Sequence, residues 1–307
     1  MKSIRGNNPC AGMRGTVLLL LFYASTLLLA AVIAPMLFFG AKYCAEIFSG
    51  GPFQHFMGKG FCKFFDRARL IAFAILLVPF VKISGVKISR DPWFRKVSPL
   101  RALWTFIAGF VLLCALFAWF DRDIAAGAFK CAAGKVLAAP LTAKLMLGAV
   151  AIGLCEEIIF RGFALRLLLM DFKMPFAIAI GSLFFAHCHI GASAAVKISP
   201  ADVTIFSGFR CLVPAAFGSG GISDLQNYAN LVAFGTVLSL LLVRFGSIWY
   251  PIAYHSGAVF AIAAHRAVAR TIPGYHCCGA LSSSAAFAVQ ILLILLLSSL
   301  PINSGKR

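Results

Sequence analysis

The sequence predicts an all-α fold, a polytopic transmembrane helical bundle of about eight spans. Three observations predict it. Of 307 residues, 61% are hydrophobic and 12% charged, about half the charged share of an average soluble domain. Several apolar runs reach or approach the ~20 residues that cross a bilayer. Lipid satisfies no backbone polar group, so such runs fold as helices.

The first span is expected from Thr16 to Gly40, behind Lys2, Arg5 and Arg14. Its apolar run exceeds the ~7–15 residues of a signal-peptide core, which favours a retained anchor. The second covers Leu70 to Ile83 and carries Pro79; the third runs from Ala102 to Phe120. The fourth begins at Ala143, passes through two glutamates and ends at Leu169. The fifth spans Pro175 to Ala192, before a loop with Pro200, Pro214 and Gly218-Ser-Gly-Gly221. The last three cover Tyr228 to Val243, Ile248 to Ala264 and Ala285 to Leu300. Residues 1–141 then form an N-terminal region of about three spans with basic loops, and residues 142–307 a core of about five. The basic residues divide almost evenly between the two sides, and the cluster from Lys82 to Arg101 favours a cytoplasmic N-terminus.

A formal charge of +18 places basic loops beside anionic headgroups. No basic stripe is interleaved with exposed aromatics, so lipids rather than nucleic acid are the expected partners. Ten cysteines are scattered without a C-x-x-C pair, and Cys114, Cys155 and Cys188 fall inside apolar runs. They read as small apolar residues. Cys277 and Cys278 follow His276 in a loop, an isolated cluster that could bind metal.

Two of the three glutamates, Glu156 and Glu157, stand side by side in the fourth span, within GLCEEIIFRG. A charge at the centre of a spanning helix costs at least ~2.5–3.5 kcal/mol, and adjacent carboxylates repel. On an α-helix Glu157 and Arg161 share a face and can pair. Glu156 points about 100° away and is left to face something else, as a candidate base. An ion-pair lock between helices would need only one carboxylate.

A base needs partners, and two other spans supply imidazoles. The fifth carries His187 and His189, which point about 200° apart on a helix, so that only one can face Glu156. The seventh carries His255 midway. Apolar-face histidines are ordinarily core residues; three spans each presenting a polar group in lipid point to a site. His55, His265 and His276 read as incidental. The chain lacks H-E-x-x-H, G-x-S-x-G and a phosphate-binding loop. A carboxylate and histidines that activate water remain.

These motifs resemble the CPBP family of intramembrane proteases, which includes CAAX prenyl proteases and bacteriocin-processing enzymes. The family's E-E-x-x-x-R matches Glu156-Glu157-Ile-Ile-Phe-Arg161, followed by Gly-Phe-Ala-Leu-Arg-Leu-Leu. Its F-x-x-x-H matches Phe185 to His189, which selects His189 over His187. Its third histidine matches His255, preceded by the familiar GSIWYPIAYH. The resemblance covers about Leu145 to Ala264. It implies that Glu156 and His189 activate a water against a peptide carbonyl in a membrane-associated protein or peptide. Glu157 and Arg161 would hold the helix and tune Glu156, and His255 would stabilise the oxyanion. Glu156, His189 and His255 could equally ligate a divalent metal such as Zn, and the family pattern also fits a metal-free site. Val259 departs from the pattern, because the family often has Asn or Asp there. A slow enzyme, one that recruits Tyr254 or water as a donor, and an inactive one all fit that departure.

The expected place is a bacterial inner membrane, multi-pass. Two alternatives stand beside the protease: a non-catalytic immunity or interaction protein, motivated by Val259, and a proton-coupled transporter, since intramembrane carboxylates also mark proton relays. No internal repeat or matched pair of broken helices favours the transporter.

Overall fold

A computed structural model describes residues 13–48, 57, 60–86, 92–120, 139–190, 196, 198–217, 222–269 and 284–301. All regular structure among them is helical. The helices are α1 (Arg14–Ile47), α2 (Phe61–Ser84), α3 (Pro99–Phe120) and α4 (Ala139–Glu157). A π-helical stretch, Ile158–Ala164, joins α4 to α5 (Leu165–Asp171). Then come α6 (Met174–Ile190), the short α7 (Ser207–Arg210) and α8 (Leu212–Phe217), α9 (Ile222–Phe245), α10 (Trp249–Ala269) and α11 (Ser284–Ser299).

Three helices are long and apolar enough to cross a membrane: Arg14–Ile47, Pro99–Ala118 and Leu225–Phe245. Two shorter apolar helices, Met174–His189 and Ala285–Ser299, join them. Large apolar side chains face outward along these helices, among them Leu28, Met36, Trp104, Val111, Leu292 and Leu296. In water such a surface would aggregate; in a bilayer it is the surface that lipid wets. The protein is therefore an integral, multi-pass helical membrane protein in contact with lipid.

Each expected span falls on a helix, with shifted ends. The first extends to Ile47 instead of Gly40. At ~1.5 Å per residue, its 34 residues reach about 51 Å, beyond a hydrocarbon core of about 30 Å. The second starts at Phe61, about two and a half charged turns earlier than hydropathy alone suggests. The fourth is helical throughout but changes from α to π geometry after Glu157, which hydrophobic periodicity cannot register. The Gly218–Gly221 loop, His55 and the His276–Cys278 cluster lie outside the described residues.

The chain divides into two compact units. One comprises Met1–Val86, Arg166–Ala177 and His187–Asp224. Here α1 packs along α2 and against α7 and α8. Phe22 meets Phe73 and Phe80, while Phe38 meets Phe61 and Phe64, edge to face or tilted. Gly208 lets its backbone approach Ala31 so closely that a Cβ would overlap the Ala31 carbonyl. The Asp171 carboxylate accepts from the backbone N–H groups of Gly15 and Thr16 and from the Thr16 hydroxyl. It thereby caps the otherwise unsatisfied start of α1 with a negative charge, the sign that end of a helix prefers.

The second unit comprises Lys87–Leu165, Ile178–Ala186 and Leu225–Arg307. Its centre is α10, which packs against α3 and α4. Two glycines make the α3–α10 approach possible: a Cβ on Gly109 would overlap the Tyr254 carbonyl, and one on Gly257 the Phe106 carbonyl. Small residues at crossings are the usual device where lipid provides no hydrophobic drive between helices. Leu113, Leu116 and Phe117 interlock with Ala258, Ala261 and Ala286 beside this crossing. His265 stacks on Phe117 at 4.0 Å, as a core residue would.

Candidate active site

The second unit holds the two glutamates near one histidine. Glu156 and Glu157 end α4, and His255 sits midway along α10. Gly153, one turn before Glu156, faces Ser256, and a Cβ there would collide with the Ser256 hydroxyl. The missing side chain brings the glutamate turn against the histidine turn.

Glu157 is fully buried and its Oε1 lies 2.8 Å from His255 Nδ1. The same oxygen accepts from Arg161 Nη1 at 3.0 Å, the pair that the i, i+4 spacing predicts. Arg161 Nη2 donates to the Gly235 carbonyl of α9 at 2.9 Å, and its guanidinium lies 4.6 Å from the centre of the Phe185 ring. A charged arginine that is 2% exposed is tolerable only with such partners. The network therefore runs from the Gly235 carbonyl through Arg161 and Glu157 to His255. Glu157 Oε2 has no hydrogen-bond partner among the described residues, although a carboxylate has acceptor capacity for several.

Glu156 occupies the other side of the imidazole. Its Oε2 is 3.8 Å from His255 Nε2, beyond a direct hydrogen bond. Its side chain is 21% exposed, whereas that of Glu157 is fully buried. With Glu157 accepting, Nδ1 carries the proton and Nε2 is the nitrogen directed toward Glu156. Sequence spacing separates the two carboxylates; the structure adds that one imidazole lies between them.

Aromatic rings enclose His255. Phe234 is 5.3 Å away and Phe185 6.1 Å, both edge to face. Phe234 also touches Tyr254, and Phe160 touches Phe185 at 5.0 Å. Gly235 leaves room for Phe185, whose ring would lie 3.2 Å from an added Cβ. Such walls lower the local dielectric and strengthen every polar interaction inside. The role of Phe185 is legible in the F-x-x-x-H spacing. Phe234, the Gly235 carbonyl and the Glu157–His255 bond had no signal in the sequence.

His187 and His189 fall within the first unit, at the end of α6. His187 meets Tyr23 edge to face at 5.5 Å. His189 is exposed and lies one helical turn beyond Phe185 on the same face. Val259 is half-buried one turn after His255. The Ser256 hydroxyl donates to the Ile252 carbonyl at 2.7 Å, which engages its one donor. Among the described residues no three His, Cys, Asp or Glu side chains gather as a metal-binding group. The zinc reading of Glu156, His189 and His255 thus finds no matching donor set among the described residues.

A family model described as Type II CAAX prenyl endopeptidase Rce1-like matches residues 138–261. The chain carries a CAAX/Abi (CPBP) family domain. That domain contains Glu156, Glu157, Arg161, His189 and His255, and it covers less than half of the chain. No curated protein and no solved structure matches the chain.

Proposed function

We propose that the protein is an intramembrane endopeptidase that hydrolyses a peptide bond in a membrane-associated protein or peptide. The observation that carries this reading is the His255 imidazole between two unlike carboxylates, one buried and bonded, the other partly open. Glu156 takes a proton from a water molecule, and the resulting hydroxide attacks the scissile carbonyl. His189 enters the proposal by the F-x-x-x-H match alone. His255, anchored at Nδ1 by Glu157, acts as an imidazolium, with a second proton drawn from solvent on Nε2, and donates from Nε2 to the developing oxyanion. Arg161 fixes Glu157, and Glu156 returns its proton to the leaving amine. The protease core begins at residue 142, within about eight spans in a bacterial inner membrane.

The test is cleavage of a membrane-anchored reporter peptide by wild type and by Glu156→Gln, with and without chelator. Loss of a positioned general base costs about 10²–10⁴-fold in rate; equal cleavage by the two proteins would end the proposal. Val259 supports a second reading, a non-catalytic immunity or interaction protein. Under it, neither form cleaves and the Glu156→Gln strain keeps the wild-type phenotype.

A further inference from the structure

The stretch that reads in the sequence as a loop after the fifth span packs along a spanning helix. Residues 198–217 hold α7 and α8 and belong to the first unit, with α1 and α2. Three contacts fix their level along α1. Val196, just ahead of them, accepts from the Cys62 thiol in the first turn of α2, and that turn packs on Phe38 through Phe61. Gly208 lies against the Ala31 carbonyl. The Ala215 carbonyl accepts from the Tyr23 hydroxyl at 3.1 Å. The chain thus descends α1 from Phe38 past Ala31 to Tyr23, and the last two levels are about 12 Å apart.

Those last two levels lie in the hydrocarbon. Between Arg14 and Lys42, α1 carries no charged residue. About 20 residues cross the core, and wherever they fall within that stretch, residues 22–34 are among them. Backbone at such a depth has to be satisfied by the protein itself. Here the Ser207 hydroxyl accepts from the Thr204 N–H at 2.8 Å, and the Thr204 hydroxyl from the Phe206 N–H at 3.3 Å. The packing serves α1 in return. Pro35 has no N–H, so the Ala31 carbonyl loses its α-helical partner. Gly208 sets its backbone over that same carbonyl.

The opposite side of the segment is apolar and uncovered. Ser207, Cys211 and Ala215 are buried, while Phe206, Phe209, Val213 and Phe217 form an exposed stripe at helical spacing. The stripe adjoins the outward face of α1, where Leu28 and Met36 meet lipid. Arg210 is exposed too. Helical side chains lean toward the N-terminus, here the entry side, so its guanidinium reaches back toward the headgroups. We propose that residues 205–217 are a membrane-inserted segment whose aromatic stripe rests against phospholipid acyl chains.

The experiment places the full chain in phosphatidylcholine vesicles that include a phosphatidylcholine with a diazirine near the end of one acyl chain. Light releases nitrogen, and the carbene inserts into the C–H bonds it touches. Peptides are then mapped by mass. Lipid adducts are expected on 205–217 as well as on α1; adducts on α1 with none on 205–217 would overturn the proposal. A second arm exposes Val213→Cys, in vesicles opened to both faces, to a membrane-impermeant maleimide, which needs a hydrated thiolate. Position 213 is expected to stay unmodified until SDS unfolds the chain. Modification before SDS, in a variant whose α1 still takes up the acyl-chain label, would also overturn the proposal. The first arm uses the wild-type chain, and neither depends on proteolysis.

Discussion

The two compact units handle buried polar groups in different ways. In the second unit the polar groups near His255 carry charge: Arg161, Glu157 and Glu156 surround a single imidazole. In the first unit the corresponding contacts are largely neutral tethers to backbone carbonyls. The Tyr23 hydroxyl donates to the Ala215 carbonyl, and the Cys62 thiol donates to the Val196 carbonyl. The difference teaches where function is to be sought. A neutral tether stabilises a loop at small desolvation cost, whereas a buried charge chain costs more than it returns in stability. Under the proposed function, such a chain is kept for the orientation of His255.

Three substitutions break or sharpen that contrast. The largest effect is expected from Arg161→Leu. It strands Glu157 as a buried charge with only His255 beside it, and breaking such a pair costs about 3–5 kcal/mol. Thermal unfolding in detergent should show a large drop. Combining it with Glu157→Gln should restore part of the loss, because the two residues are coupled. A single-variant drop no larger than that of a neutral tether would erase the distinction between the units.

An intermediate effect is expected from Asp171→Ala, which removes the charged cap from the start of α1. A lost helix cap costs about 0.5–2 kcal/mol. Hydrogen exchange at the α1 N-terminus should rise while reporter cleavage stays near the wild-type rate. The smallest effect is expected from Tyr23→Phe. It deletes the bond to the Ala215 carbonyl, a net change of about 1 kcal/mol, with cleavage unaffected. A loss of cleavage in Tyr23→Phe would show that the first unit's tethers serve the chemistry as well.

Much of this was legible in the chain. The helices at 16–40, 102–120 and 228–243 follow from hydropathy, because each must bury its backbone polarity within itself wherever it sits. The Glu157–Arg161 pair was legible because four residues on a helix fix a distance. The π stretch at Ile158–Ala164 was not: a shift in hydrogen-bond register leaves no mark on an apolar run.

The sequence by itself determined a helical membrane protein with a CAAX-type motif set, because hydropathy and helical spacing are local properties. Only the tertiary structure decided that His255 bonds Glu157 and turns toward Glu156, that Gly235 lends Arg161 a carbonyl, and that Gly153 lets the two turns meet. Arg161 and Gly235 stand 74 positions apart and Glu157 and His255 98, and separation in sequence says nothing about separation in space until the helices have packed.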